Sequence, residues 1–271
     1  MNAGSPITAG EWPDPPTGAA IAGDADDLAA FFHDRVAAHI YALADLDEPF
    51  WSGSRWYRRG DAVVGLIGLP SGEGLACYSV ATRDPAGTLD LVAALAPSLP
   101  SGLLITGPDG LATALGAVRP LAWHAPHVRY ELTEPDALPA LDPRVEPLDR
   151  RDLAQIETLY DTDPGAVFFL RHMLDDGAFV GVRDGGVLVA AAGTHVLSTT
   201  HRVAALGAVY TAPSHRGLGL GRAITVAVTR HLLPRADTIG LNVAAANAPA
   251  RRIYESVGFT AILSYEEAEL A

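Results

Sequence analysis

The sequence predicts an α/β chain of two domains, each a mixed, mostly antiparallel sheet flanked by helices. Three observations predict it. Strand and helix patterns alternate along the chain. A strand–turn–helix–proline–strand order occurs twice, in "YSVATRDPAGTLDLVAALAPSLPSGLLITG" and in "VYTAPSHRGLGLGRAITVAVTRHLLPRADTIGLNV". Between the copies, "PDALPALDPR" has the proline content of a linker. The expected organisation is a disordered Gly/Pro/Ala tail over 1–23, a first domain over 24–134, a linker over 135–143 and a second domain over 144–271.

In the first half, "DADDLAAFFHDRVAAHIYALAD" (24–45) predicts a long helix opened by acids. "SRWYRR", "DAVVGLIGL" and "GLACYSVA" predict strands. "GTLDLVAALAPSLP" predicts a helix stopped by proline, "SGLLITG" a strand, "PDGLATAL" a short helix and "HVRYEL" a strand. In the second half, "RVEPLD" predicts a strand, and "RRDLAQIETLYD" (150–161) and "AVFFLRHML" (166–174) predict helices. "AFVGVRDGGVLVAAAGTHVL" breaks at Asp184-Gly185-Gly186 into a hairpin, and "HRVAALGAVYTAP" is a further strand. A helix over 220–233 places Leu220, Ala223, Ile224, Ala227 and Val228 on one face, with Arg222, Thr225 and Thr229 opposite. "DTIGLNVAA" is a strand. "NAPARRIYESV" is a helix capped by Asn247, and "FTAILSYEEAEL" is the final strand.

Composition limits the function. The 271 residues carry a formal charge of -13, and all 19 Lys+Arg positions are arginine. An acidic chain disfavours nucleic acid and anionic membranes as partners. No apolar run approaches the ~18 residues that span a bilayer, and no secretory leader pattern opens the sequence. Cys77 is the only cysteine, so no intrachain disulfide and no CxxC zinc site can form. A cytoplasmic location and a metal-free chemistry are expected.

The stretch "SHRGLGLGRAITVAV" carries the chemistry. Gly217, Gly219 and Gly221 alternate with larger residues between a strand and a helix. Glycines let backbone N–H groups converge, and the helix N-terminus adds unpaired donors and a positive dipole end. A diphosphate suits such a loop. The Gly-Lys-Ser/Thr of nucleotide-triphosphate loops is missing, and strict alternation does not fit the dinucleotide fingerprint.

With these residues in view, "VYTAPSHRGLGLGRAI" resembles the acetyl-CoA motif of the GCN5-related N-acetyltransferases, R/Q-x-x-G-x-G/A, with Arg216, Gly219 and Gly221 in place. "LNVAAANAPARRIYESVGF" resembles the same family's second signature through Asn247, Ala250, Tyr254, Gly258 and Phe259. The resemblance covers roughly residues 144–265 and makes the first half a degenerate copy. It implies that Val209, Tyr210 and Thr211 pair with the pantetheine arm of acetyl-CoA, and that their strand splays from "TIGLNV". It implies that backbone donors of Arg216, Gly217, Leu218, Gly219, Leu220, Gly221 and Arg222 hold the pyrophosphate. Arg216, Arg222 and Arg251 would locally offset the acidic field. Asn242 would touch the acyl group or a water, and the Tyr254 hydroxyl would face the CoA sulfur. A backbone N–H near Val209 would serve the oxyanion.

The implied reaction is direct attack of an amine on an acyl-CoA thioester in a ternary complex. His195, His201, Tyr210 and Glu255 are the candidates for general base. The acceptor is expected to be a small-molecule or peptide amine, and the chain a monomer or homodimer. The rival readings are a non-catalytic acyl-CoA sensor, which an intact Tyr254 disfavours, and a nucleotide-binding regulator, which the missing Lys-Ser/Thr disfavours. "GDADD" reads as a helix cap, His124 and His127 as strand positions, and "FWSGSRWYRR" as a strand covering a core.

Overall fold

The computed structural model describes residues 12–69, 74–80, 83–163, 167–175 and 178–271. In chain order the elements are β1 (Ala20–Ala22), α1 (Ala25–Phe32), α2 (Ile40–Ala44), β2 (Ser54–Arg59), β3 (Ala62–Gly68), β4 (Leu75–Tyr78), α3 (Pro85–Leu95), β5 (Leu104–Gly107), α4 (Leu111–Gly116) and β6 (Leu121–Leu132). They continue with β7 (Glu146–Leu148), α5 (Leu153–Tyr160), β8 (Phe179–Asp184), β9 (Val187–Ser198), β10 (Val203–Thr211), α6 (Leu220–Leu232), β11 (Thr238–Ala244), α7 (Ala248–Glu255) and β12 (Phe259–Leu270).

Two compact units emerge. Unit 1 comprises the described residues of 1–128, 244–246 and 263–271, and unit 2 those of 129–243 and 247–262. This differs from domains divided at 134 and 144. Residues 129–134 fall in unit 2, and 263–271, the end of β12, fall in unit 1. The reason is strand pairing: Glu266 to Glu269 of β12 lie antiparallel to Gly107 to Leu104 of β5.

In unit 1, β1, β2, β3 and β4 run antiparallel in that order, and β4 pairs with β5 in parallel across α3. The core is aliphatic: Val64, Leu66, Leu91, Val92, Leu95, Ile105, Leu111, Leu115, Ala268 and Leu270 cluster there. Two expectations fail in this unit. Of the tail expected over 1–23, residues 1–11 lie outside the described residues, and 12–23 are held in place: Ala20–Ala22 pair with β2, Trp12 packs on the core, and the Tyr57 hydroxyl donates to the Pro13 carbonyl at 2.7 Å. The predicted 24–45 helix is broken at Arg35 (φ -142, ψ 73). All five residues of α2 are buried, which a straight amphipathic helix with one wet face could not achieve. Asp24 caps α1 through the N–H groups of Asp26 and Asp27, as "GDADD" predicts.

In unit 2, β7, β8, β9 and β10 run antiparallel, and β10 pairs with β11 in parallel across α6. Leu148, Ile156, Leu159, Tyr160, Phe179 and Tyr210 form one of its core clusters. The predicted 166–174 helix reduces to a single 3-10 turn, Arg171–Leu174, with residue 166 outside the described residues. Adjacent aromatics face different partners: Phe169 packs on Tyr160 and Phe179, while Phe168 stacks on His195. A helix would not send consecutive side chains to such different neighbours. The polar face expected of α6 also differs. Thr225 and Thr229 are buried, and each hydroxyl donates to a carbonyl four residues back, Gly221 and Thr225.

Candidate active site

The site is built on β10, α6, β11 and α7. Parallel pairing of β10 with β11 runs from Val203–Thr238 to Leu206–Leu241 and stops there. Beyond it the register of β10 against β9 shifts twice. Between Ala205–Val196 and Leu206–Thr194, His195 is the extra residue of a bulge in β9. Between Gly207–Gly193 and Tyr210–Ala191, β10 has two residues, Ala208 and Val209, opposite one. Ala208 has φ 53, a left-handed backbone rare for a residue with a Cβ. The bulge is fixed from the side by Tyr160, whose hydroxyl donates to the Ala208 carbonyl at 2.8 Å. The end of β10 therefore carries backbone outside the regular ladder, beside a gap that begins at Gly207 and Asn242.

The loop after β10 turns through Pro213–His215 and reaches α6 at Gly219. Gly217 and Gly219 have φ of 79 and 77, and nothing lies within 4 Å of where either Cβ would stand. Gly221 is different, because a Cβ there would come 3.2 Å from Ile253 of α7. No side chain caps α6, so its first N–H groups face the loop. An open cleft of about 320 Å³ lies there, lined by Pro139, Asp142, Arg144, Gly219, Arg222 and Val226 among others. The segment forming its far wall is held by Arg230, whose guanidinium donates to the carbonyls of Leu138 and Pro139.

The other predicted residues fall as follows. Arg216 folds back on the strand: its Nε donates to the Thr211 carbonyl at 3.2 Å, and its guanidinium lies 5.8 Å from the Tyr210 ring. The Tyr210 ring is buried and its hydroxyl pairs with that of Thr162 at 2.9 Å, so it serves the core. Leu218 is 58% exposed and Arg222 is exposed, whereas Leu220 is buried. Asn247 caps α7 by accepting from the Ala250 N–H at 3.2 Å. Arg251 donates to the Tyr130 hydroxyl at 2.9 Å, and that hydroxyl donates to Glu255 at 2.8 Å. Tyr254 is 6% exposed and packs against Tyr130 and Phe259; burial pushes its hydroxyl up to about 12. Among the described residues its hydroxyl has no hydrogen-bond partner.

Of the candidate bases, His195 alone stands at the start of the gap. A Cβ on Gly207 would meet its Cβ at 2.7 Å and its Nδ1 at 3.1 Å. Burial, with the charges of His172 and Arg129, lowers His195 to about 4, so it is neutral at physiological pH. His201 lies in the turn before β10, at the end away from the gap. Glu255 is exposed and bound to Tyr130. Sequence reasoning missed Arg129, which it read only as part of a strand. This arginine is 1% exposed, and its Nε donates to Asn242 Oδ1 at 3.0 Å. An arginine between apolar strand neighbours in "HVRYEL" was the available signal. Outside this site, His127 faces Glu267 at 3.4 Å and packs at a tilt against the Tyr265 ring.

The chain has relatives among known proteins. A family model described as FR47-like protein matches residues 179–268. A putative acetyltransferase of the GNAT family from Novosphingobium aromaticivorans is 25% identical. That alignment covers 70% of this chain and 82% of that one, with a TM-score of 0.55. The chain shares the fold of GNAT-family acetyltransferases, and its family-model match is confined to residues 179–268. A tandem GNAT protein from the clavulanic acid biosynthesis pathway shares the fold at a TM-score of 0.51 and 14% identity, over 93% of this chain and 98% of its own. A curated relative named mycothiol acetyltransferase, from Thermobispora bispora, is 49% identical over 59 residues. That match spans 20% of this chain and only 20% of the relative's length.

Proposed function

We propose that this chain is an acyl-CoA-dependent N-acyltransferase that moves acetyl from acetyl-CoA to a primary amine of a small molecule or peptide. One observation carries the reading: β10 leaves β11 after Leu206, beside a helix whose N-terminus no side chain caps. The local shape fits the group. A diphosphate needs open space over Gly217 and Gly219 and free N–H groups at the head of α6, and both are present. The names of the acetyltransferase relatives support the same chemistry.

Acyl-CoA would supply an activated thioester. The backbone of residues 209–211, past the end of the β10–β11 pairing, would pair with the pantetheine arm as an added strand does. The N–H of Val209 would meet charge developing on the carbonyl oxygen. Tyr254, raised to about 12, keeps its proton at physiological pH. Complete transfer to a thiolate of pKa near 8.5 would be uphill by roughly 5 kcal/mol. Its role is therefore to donate a hydrogen bond to the leaving sulfur. His195, neutral and beside Gly207, is the group of this site placed to accept a proton, directly or through water.

The test has two parts. Acetyl-CoA should raise the melting temperature of the protein, and ATP should not. In a thiol-release assay with an amine panel, Tyr254→Phe should lower kcat by roughly 10–100-fold while acetyl-CoA binding stays near wild type. A wild-type protein that no CoA species protects would overturn the proposal.

A further inference from the structure

The first residues past the parallel pairing are Gly207 on β10 and Asn242 on β11. Asn242 is half-buried, and its Oδ1 accepts from Nε of the fully buried Arg129. Arginine has only donors, so the amide orientation is settled by chemistry: oxygen toward Arg129, nitrogen away. Among the described residues the Asn242 Nδ2 group has no hydrogen-bond partner, and it is not sealed from solvent. A fixed, accessible two-proton donor therefore stands at the apex of the gap. A merely structural amide would give both ends partners, as buried polar groups usually do.

We propose that Arg129 is a positioning residue that holds Asn242 so that its Nδ2–H donates to a carbonyl oxygen of the acyl-thioester arm in the gap. This rests on the acyltransferase reading above. It assigns Arg129 a task through Asn242 rather than through contact with substrate. The neighbourhood agrees. Arg129 is close enough for its charge to act on His195, which the β9 bulge sets over Gly207. The residues gathered at the apex come from β6, β9, β10 and β11, which explains why no single motif contains them.

The experiment is isothermal titration with acetyl-CoA, paired with thermal melts. Asn242→Asp keeps an acceptor for Arg129 and removes the donor. It should melt at or above the wild-type temperature and bind acetyl-CoA about tenfold more weakly. Arg129→Met frees the amide and should weaken binding by a similar factor in the Asn242 background. In an Asn242→Leu background the same change should have no further effect, and that loss of coupling separates positioning from general support of the fold. Binding by Asn242→Asp equal to wild type would overturn the proposal, even if Arg129→Met fails to fold. A wild-type protein that does not bind acetyl-CoA would instead overturn the acyltransferase reading beneath it.

Discussion

The segments β4–α3–β5 and β10–α6–β11 have the same order and the same parallel pairing, yet they differ at the end of that pairing. In unit 1 the ladder runs from Ala76–Leu104 to Tyr78–Thr106. Beyond Tyr78–Thr106 the Ser79 N–H still donates to the Thr106 carbonyl at 2.7 Å, and the Ser79 hydroxyl does the same. In unit 2 the ladder ends at Leu206–Leu241, and a bulge turns the next residues aside. The helix ends differ as well. Asp84 caps α3, accepting from the Gly87 N–H at 2.9 Å, and so fills the anion position with its own carboxylate. Gly219 offers α6 no side chain. On the proposed function, the anion would sit where the chain leaves those donors to a ligand.

This contrast can be broken directly. The largest effect is expected from Gly219→Asp, which gives α6 the carboxylate that α3 already has. Acetyl-CoA affinity measured by titration should fall about 100-fold, roughly 3 kcal/mol. The left-handed φ of 77 adds a stability cost of about 1 kcal/mol. Unchanged affinity would mean the anion sits elsewhere.

A second contrast concerns pH. His195 in unit 2 titrates near 4 when folded and near 6.5 when unfolded. Its contribution to stability is complete above about 6.5 and is lost as pH falls toward 4. Asp45 in unit 1 is pushed by burial up to about 8 from an ordinary 3.8. Its contribution is complete below 3.8 and is lost as pH rises through 8. In urea unfolding, Asp45→Asn should gain on wild type between pH 5 and 9. His195→Gln should gain between pH 7 and 4.5. Each gain should be about 1–3 kcal/mol. Parallel slopes for the two variants would contradict the assignment. The smallest effect is that of Asp84→Ala, which should cost about 1 kcal/mol of stability and leave acetyl-CoA affinity untouched.

The parts legible in the sequence were those set by local chemistry. The glycine loop before α6, Asn247 and Asp24 as caps, and the strand at β10 are set by a few neighbouring residues. What escaped depends on distant partners. The break at Arg35 accompanies an α2 that is buried on all sides, and the 167–170 segment is not helical, with Phe168 and Phe169 turned to separate neighbours. Arg129 looked like one more strand residue until Asn242, 113 positions away, gave it a partner. Thr225 and Thr229 misled for the opposite reason: hydroxyls can be buried when the helix's own carbonyls receive them.

The exchange of strand ends has a consequence for synthesis. Ala268 and Leu270 are core residues of unit 1, although they follow all of unit 2 in the chain and are synthesised after it. Unit 1 begins first and closes last. Its sheet waits, with β5 unpaired on one side, until residues 263–271 arrive. A nascent chain stalled near residue 262 would therefore expose an unfinished N-terminal half, open to proteases and to pairing with other chains.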